Sequence, residues 1–111
     1  MPKVPNAERA ILDIRKIAGY CLSPEHPRGR HKARVFRDAL ELRQDDAEWL
    51  RTALLDGLRY VEATELSTDD LGRRWRADIP VTRHSRLAVV RTMWIVRSGE
   101  QIPRFVTCWV L

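Results

Sequence analysis

The spacing of apolar and polar positions predicts three helices in the first half of the chain. Asp13 is placed to cap a helix over 14–22. The apolar face of that helix comprises Ile14, Ile17, Ala18 and Cys21. Apolar residues return at helical spacing over 30–42, and over 46–61 they form the stripe typical of a surface helix. This stripe consists of Trp49, Leu50, Ala53, Leu54, Leu58 and Val61.

After Gly72 the spacing of apolar residues changes from the helical period to every second residue, which indicates strands with one solvent-exposed face. These strands are predicted over 73–82, 86–97 and 103–110. The preceding segment 64–72 is polar and is predicted to be a turn. The middle strand is apolar on both faces apart from Arg91 and Thr92, as in the centre of a sheet. Helices followed by an antiparallel meander define an α+β fold, with the helices on one face of a sheet of three to four strands.

The register of the last hairpin decides which polar side chains share a face. Pairing Arg97 with Ile102 across the loop puts Thr92 opposite Thr107. The other pairs of this register are Trp94 with Phe105 and Arg91 with Cys108. A single bulge would instead move Thr107 to the face of Arg91. The two threonines are either a structural cross-strand pair or part of a site, whereas a charge such as Arg91 within an apolar strand must be paired or functional.

A single domain, residues 1–111, is expected because this length and 44% hydrophobic content suffice to bury a core without metals or disulfides.

No apolar stretch approaches the ~18 residues of a membrane span, and no leader segment is visible, so a cytoplasmic location is expected. Cys21 and Cys108 have apolar neighbours, which fits small core residues in a reducing compartment.

Charge is distributed unevenly along the chain, whose net charge is +5. The balance is +6 over 1–37, −7 over 38–70 and +6 over 71–111. Folding that brings the two flanks together would create a basic face, for which a polyanion such as RNA is the expected partner. Arginine outnumbers lysine 17 to 3, which suits bidentate contacts with phosphate.

The segment Ser23–Phe36 concentrates two prolines, a glycine, two histidines and a cluster of basic residues. The prolines constrain a turn that contains His26, and a helix follows from about Arg30. Basic residues such as His31 and Lys32 in the first turn of a helix oppose the helix dipole, and a bound phosphate would relieve that conflict. The alternative is a solvated basic helix face after a proline turn.

Four segments carry a resemblance to a known family: Pro5–Glu8, Ser23–Phe36, Val90–Val96 and Pro103–Thr107. With them the chain resembles a family of small, mostly uncharacterised bacterial domains, similar in layout to the nucleases grouped with barnase, colicins D and E5 and the RelE toxins. This resemblance implies helices packed on a four-stranded sheet and a metal-independent ribonuclease, often a toxin that a cognate partner blocks. Where family members tend to have Thr-Ala-Tyr, this chain has Thr107-Cys108-Trp109.

The leading hypothesis is an endoribonuclease in which the RNA 2′-hydroxyl attacks the adjacent phosphate. Such chemistry needs an acid and a base for proton transfer and cations over the phosphorane. His31 is the candidate for proton transfer because an unperturbed imidazole titrates near neutrality. Lys32 and Arg91 would neutralise the phosphate, and Thr92 and Thr107 would position it.

Five further residues are candidates for substrate contact: His26, Arg28, Arg30, Arg34 and Trp94. His26 is either a second proton-transfer group or only a turn residue. The three histidines show no metal-ligand spacing, so neither a metal nor another cofactor is expected.

Two other functions use the same residue types. A non-catalytic module would hold nucleic acid or an acidic protein, such as a cognate antitoxin or immunity protein, on the same basic face. A partner protein would use Trp49, Trp75 or Trp109 at an interface. Only the two histidines of the basic segment favour the enzyme.

Overall fold

The computed structural model describes residues 2–111 and confirms the α+β fold, with helices first and strands after them. Helix α1 spans Ile14–Lys16 and continues as a π-helical turn over Ile17–Cys21. Helices α2 and α3 span Gly29–Leu40 and Ala47–Leu58, and short 3-10 turns cover Ala7–Arg9 and Gln44–Asp46. None of the described helices has the length and apolar character needed to cross a membrane.

Four antiparallel strands form one sheet in the order of the sequence. They are β1 (Ala63–Asp69), β2 (Gly72–Arg83), β3 (Arg86–Arg97) and β4 (Arg104–Val110). The prediction of a turn over 64–72 was wrong, because β1 occupies most of that segment. Its side chains are exposed after Ala63, so no apolar alternation marks the strand. Pairing with β2 holds it in place, aided by an ion pair of 2.7 Å between Glu65 and Arg73.

The helices cover one face of the sheet, and the core lies between the two layers. Every second residue of β2 from Trp75 to Val81 is buried. Apolar side chains of α2 and α3 meet this face, and Phe36, Leu50 and Leu54 are fully enclosed. Burial of the apolar surface in this layer is the largest favourable contribution to folding.

Strand β4 contains a bulge, which decides between the two registers that the sequence allowed. Trp94 pairs with Phe105 as predicted, and beyond that pair the register shifts by one residue. Thr92 therefore lies opposite Cys108, and Thr107 lies opposite Met93. The pairs of the unbulged register, Thr92 with Thr107 and Arg91 with Cys108, do not form. The alternative with a bulge is the one observed, and it places Thr107 on the face of Arg91 because β4 contains an extra residue that the hydrophobic alternation does not reveal.

Helix α2 begins in close contact with the π-helical turn. A Cβ atom on Gly29 would clash with the backbone carbonyl of Tyr20. Only glycine therefore allows the start of α2 to approach Tyr20 this closely. The contact fixes where α2, and with it the basic segment, lies relative to the end of β4.

Candidate functional site

The ammonium group of Lys32 lies where α2, the π-helical turn and β4 meet. Its Nζ donates a hydrogen bond to Oγ1 of Thr107 over 3.0 Å. The same atom lies 4.7 Å from the centre of the Tyr20 ring and 5.3 Å from that of Trp109, which are cation–π distances. Lys32 is half-buried, and within residues 2–111 it forms no ion pair with a carboxylate. Its direct contacts are with one hydroxyl and two aromatic faces.

A shallow pocket of about 470 Å³ opens beside this ammonium. It is lined by His31, Lys32, Val35, Trp109 and Val110. The His31 ring is exposed and makes no hydrogen bond to any described residue. The pocket thus combines an ammonium held by Thr107, an exposed imidazole and an indole wall.

His26 caps the start of α2. Its Nδ1 accepts hydrogen bonds from the backbone N–H groups of Arg28 and Gly29, over 3.1 and 3.0 Å, and its carbonyl accepts from the N–H of Arg30. These bonds require Nδ1 to be unprotonated, so the neutral ring carries its proton on Nε2. The expectation that backbone amides at this helix start hold a phosphate was therefore wrong for these three amides, because His26 already occupies them.

Two buried thiols lie behind Lys32. Sγ of Cys21 is 3.8 Å from Oγ1 of Thr107, so thiol, hydroxyl and ammonium form a continuous chain. A hydrogen bond from the Cys108 thiol lowers the pKa of Cys21, and the charge of Lys32 contributes in the same direction. That bond and burial raise the pKa of Cys108. Both thiols are enclosed, so neither is exposed in the Lys32 pocket.

Arg91 is not part of this pocket. Its Nε and Nη2 donate to the two carboxylate oxygens of Asp78 on β2, both over 2.9 Å. This fork lowers the pKa of Asp78, and it neutralises the charge that the sequence left unexplained. Arg91 therefore does not line the Lys32 pocket, although this pair uses only two of its five N–H donors, and its predicted contact with the phosphate stays a prediction.

Thr92 and Trp94 belong to the core. Oγ1 of Thr92 donates to the carbonyl of Ala77 over 2.6 Å and accepts from Nε1 of Trp94 over 2.7 Å. Both side chains are fully buried, and Trp94 packs edge-on against Phe105. The predicted roles of Thr92 in catalysis and of Trp94 in substrate contact were wrong, because neither side chain reaches the surface.

The arginines of the basic segment lie apart from the Lys32 pocket. Arg30 and Arg34 line a second groove along the other flank of α2. Arg28 is exposed just before that helix. Of the residues predicted to act together, the structure gathers His31, Lys32 and Thr107, with His26 near them through its contact with Tyr20.

Sequence reasoning missed Tyr20 and undervalued Cys21 and Trp109. Helical spacing correctly placed Ile17 and Cys21 in the core, but it gave no reason to expect Tyr20 beside the start of α2. The one available signal was that Tyr20 and Cys21 directly precede the basic segment. Within residues 2–111 no group of three or more His, Cys, Asp or Glu side chains is placed to hold a metal ion.

Comparison with known proteins gives one match. A family model described as "Domain of unknown function (DUF6883)" matches residues 3–111, which is nearly the whole chain. The chain belongs to this family. No curated protein and no solved structure matches it.

Proposed function

We propose that this member of the DUF6883 family is a metal-independent endoribonuclease that binds an RNA phosphate at Lys32. The observation that carries the proposal is the half-buried ammonium of Lys32, which has no carboxylate partner among the described residues. A partly desolvated ammonium without a carboxylate partner is costly, and a phosphodiester would compensate it. His31 lines the same pocket, so a proton-transfer group stands beside the proposed phosphate.

In the proposed reaction, the 2′-oxygen of the RNA forms a bond to phosphorus and the bond from phosphorus to the 5′-oxygen breaks. The products are a 2′,3′-cyclic phosphate and a free 5′-hydroxyl. His31 transfers one proton, and Lys32, held by Thr107, stabilises the charge of the phosphorane. The second proton transfer falls to Nε2 of His26 or to the Tyr20 hydroxyl, since these rings contact each other 4.7 Å apart beside the same ammonium.

The proposal extends to compartment and partner. The cytoplasm supplies RNA and keeps thiols such as Cys21 and Cys108 reduced. An acidic partner protein, of the antitoxin or immunity type, would block the basic surface around α2 by charge complementarity.

A specific observation favours a second function, which is a binding module without chemistry. Catalytic bases are usually oriented by a third group, and His31 has no such partner among the described residues. The same pocket would then hold an RNA phosphate without cleaving it. Cleavage and binding must therefore be measured separately.

The test is incubation of RNA with the purified protein in excess EDTA, with the products analysed for 2′,3′-cyclic phosphate ends. We expect His31→Ala to lower the cleavage rate by on the order of 10²- to 10⁴-fold and to leave RNA affinity nearly unchanged. Lys32→Gln should lower both rate and affinity. His84→Ala is the matched control, because His84 is an exposed histidine in the turn between β2 and β3.

Each outcome identifies a different error. Cleavage that requires a divalent metal contradicts the mechanism. Cleavage that His31→Ala leaves intact contradicts the site. Salt-dependent binding without any cleavage, at all pH values from about 5 to 9 where histidine changes charge, favours the binding module.

A further inference from the structure

A second basic groove runs along the flank of α2 that faces away from the Lys32 pocket. Its volume is about 620 Å³. Four arginines line it: Arg30, Arg34, Arg37 and Arg43. Aliphatic side chains, including Leu22 and Leu42, form part of its lining, and Asp45 is the one carboxylate in that lining. The groove is therefore strongly cationic and open to a ligand.

Helical geometry separates this groove from the pocket. Arg30, Arg34 and Arg37 follow the spacing i, i+4, i+7 and form one stripe along α2. His31 and Lys32 lie on another flank of the same helix, and the buried face that includes Phe36 occupies a third sector. Arg30 and His31 are consecutive and thus about 100° apart around the helix, so a strand that contacts both the groove and the pocket must pass around the first turn of α2.

The charges of the groove are not neutralised by the protein. Within residues 2–111, Arg30, Arg34 and Arg43 form no ion pair. Arg37 only approaches the neighbouring Asp38, at 3.8 Å, with both side chains largely exposed. Like charges at this spacing repel one another along a helix, so the stripe is unfavourable for the isolated fold. A polyanionic ligand would remove that repulsion.

We propose that this arginine groove holds the phosphate backbone of single-stranded RNA next to the nucleotide in the Lys32 pocket; the proposal rests on the proposed function. From Arg30 to Arg37 the helix rises about 10 Å, the length of about three stacked nucleotides at about 3.4 Å each. Guanidinium forks match phosphate geometry, and the groove lining contains no aromatic ring on which a base would stack. The groove therefore contacts the backbone without reading the sequence.

This arrangement makes cleavage depend on RNA length. An oligonucleotide that fills only the pocket gains nothing from the groove, whereas a longer strand gains several phosphate contacts. Each contact releases counter-ions, so the groove also steepens the salt dependence of binding. An acidic protein segment is the other occupant that four arginines would accept, and the experiment below separates it from RNA.

The test uses the triple variant Arg34→Gln, Arg37→Gln, Arg43→Gln. A matched control, Arg9→Gln, Arg59→Gln, Arg97→Gln, removes the same charge from exposed positions that do not line the groove. Fluorescence anisotropy with a fluorescein-labelled oligouridylate of about 12 nucleotides measures affinity against NaCl concentration. We expect the groove variant to lower the salt slope by about 2, at ~0.7 per lost contact, and to lower affinity at least ~10-fold at low salt. The control should keep the slope of the unaltered protein.

Cleavage kinetics in EDTA distinguish failure of this proposal from failure of the proposed function. We expect the groove variant to raise the KM for the long oligonucleotide, to keep its kcat, and to leave a diuridine substrate unaffected. If the unaltered protein cleaves RNA and the groove variant behaves like the control, the groove proposal alone is overturned. If the long strand is bound through the groove but never cut, the nuclease proposal alone fails. If polyglutamate binding depends on the groove and oligouridylate binding does not, the occupant is an acidic protein and the RNA proposal is overturned.

Discussion

Polar side chains in this protein differ in how much of their bonding capacity the fold already uses. The Thr92 hydroxyl both donates and accepts a hydrogen bond within the core, and the Arg91 guanidinium donates two hydrogen bonds to the Asp78 carboxylate. Lys32 is held by one hydroxyl, and His31 by no described group. Residue type alone does not separate these cases, since all four looked equally suited to phosphate chemistry. The spare capacity of Lys32 and His31 is what favours them as functional residues.

Replacing Thr92 by valine tests its structural role. Valine keeps the shape of threonine but removes the acceptor of Nε1 of Trp94 and one donor to the Ala77 carbonyl. We expect the free energy of unfolding to fall by about 1–3 kcal/mol, the cost of buried unpaired polar groups. Urea unfolding measures the change, and Thr82→Val, at an exposed position on β2, serves as the control. Loss of cleavage at unchanged stability would contradict this structural role and would support a catalytic role for Thr92.

At the scale of elements, the position of α2 is set by two contacts at its start. His26 caps its first amides, and Gly29 lets it approach the carbonyl of Tyr20. Together they bring Lys32 between the rings of Tyr20 and Trp109. The turn that the prolines impose is thus the structural basis of the pocket, and the histidine in it supports the helix.

Gly29→Ala should push α2 away from the π-helical turn. The added methyl group meets backbone, which cannot rotate aside, so we expect a loss of about 1–3 kcal/mol or more in the free energy of unfolding. Gly19→Ala is a close control, because no atom lies within 4 Å of a Cβ at that position. Thermal unfolding of both variants, with RNA binding, measures the effect. Equal stability of the two would contradict the close packing of α2 on Tyr20.

The sequence revealed some elements and concealed others for physical reasons. The change of apolar period at Gly72 correctly separated helices from strands, because β2 and β3 bury one face each. Strand β1 was not predicted from the sequence, because only its first residue is buried and the strand shows no apolar alternation. The bulge in β4 and the π-helical turn each add one residue to a repeating pattern, and both occur where the pocket forms. The residues of the candidate site were therefore the hardest to place from spacing.

For the molecule as a whole, arginine–carboxylate pairs link stability to pH. Hydrogen bonds from arginines lower the pKa values of Asp69, Asp78 and Glu100. When the folded-state pKa lies below the unfolded-state value of about 4, the folded state gains stability above that pH. This stability is lost as the pH falls through the lower, folded-state value. The protein should therefore lose stability progressively below about pH 4.

Asp78→Asn isolates the half-buried pair with Arg91. We expect the variant to be less stable at pH 7 by no more than about 1 kcal/mol, because solvent screens a pair that is about a third exposed. The difference from the unaltered protein should shrink as the pH falls from 7 through the lowered folded-state pKa of Asp78, below which the carboxyl is protonated in both states. Urea unfolding across this range measures it, with Glu62→Gln, an exposed carboxylate, as the control. A difference that grows in acid would contradict the assigned direction.

Strand β4 also determines when the pocket can exist during synthesis. Lys32 and Thr107 are 75 positions apart, and the ring of Trp109 lies two residues further along. While the chain is being translated, the three helices and the first three strands leave the ribosome before β4 does. A nascent domain thus carries His31 and Lys32 without the hydroxyl and indole that complete their surroundings. Under the proposed function, the nascent domain would not cleave RNA until β4 has joined the sheet.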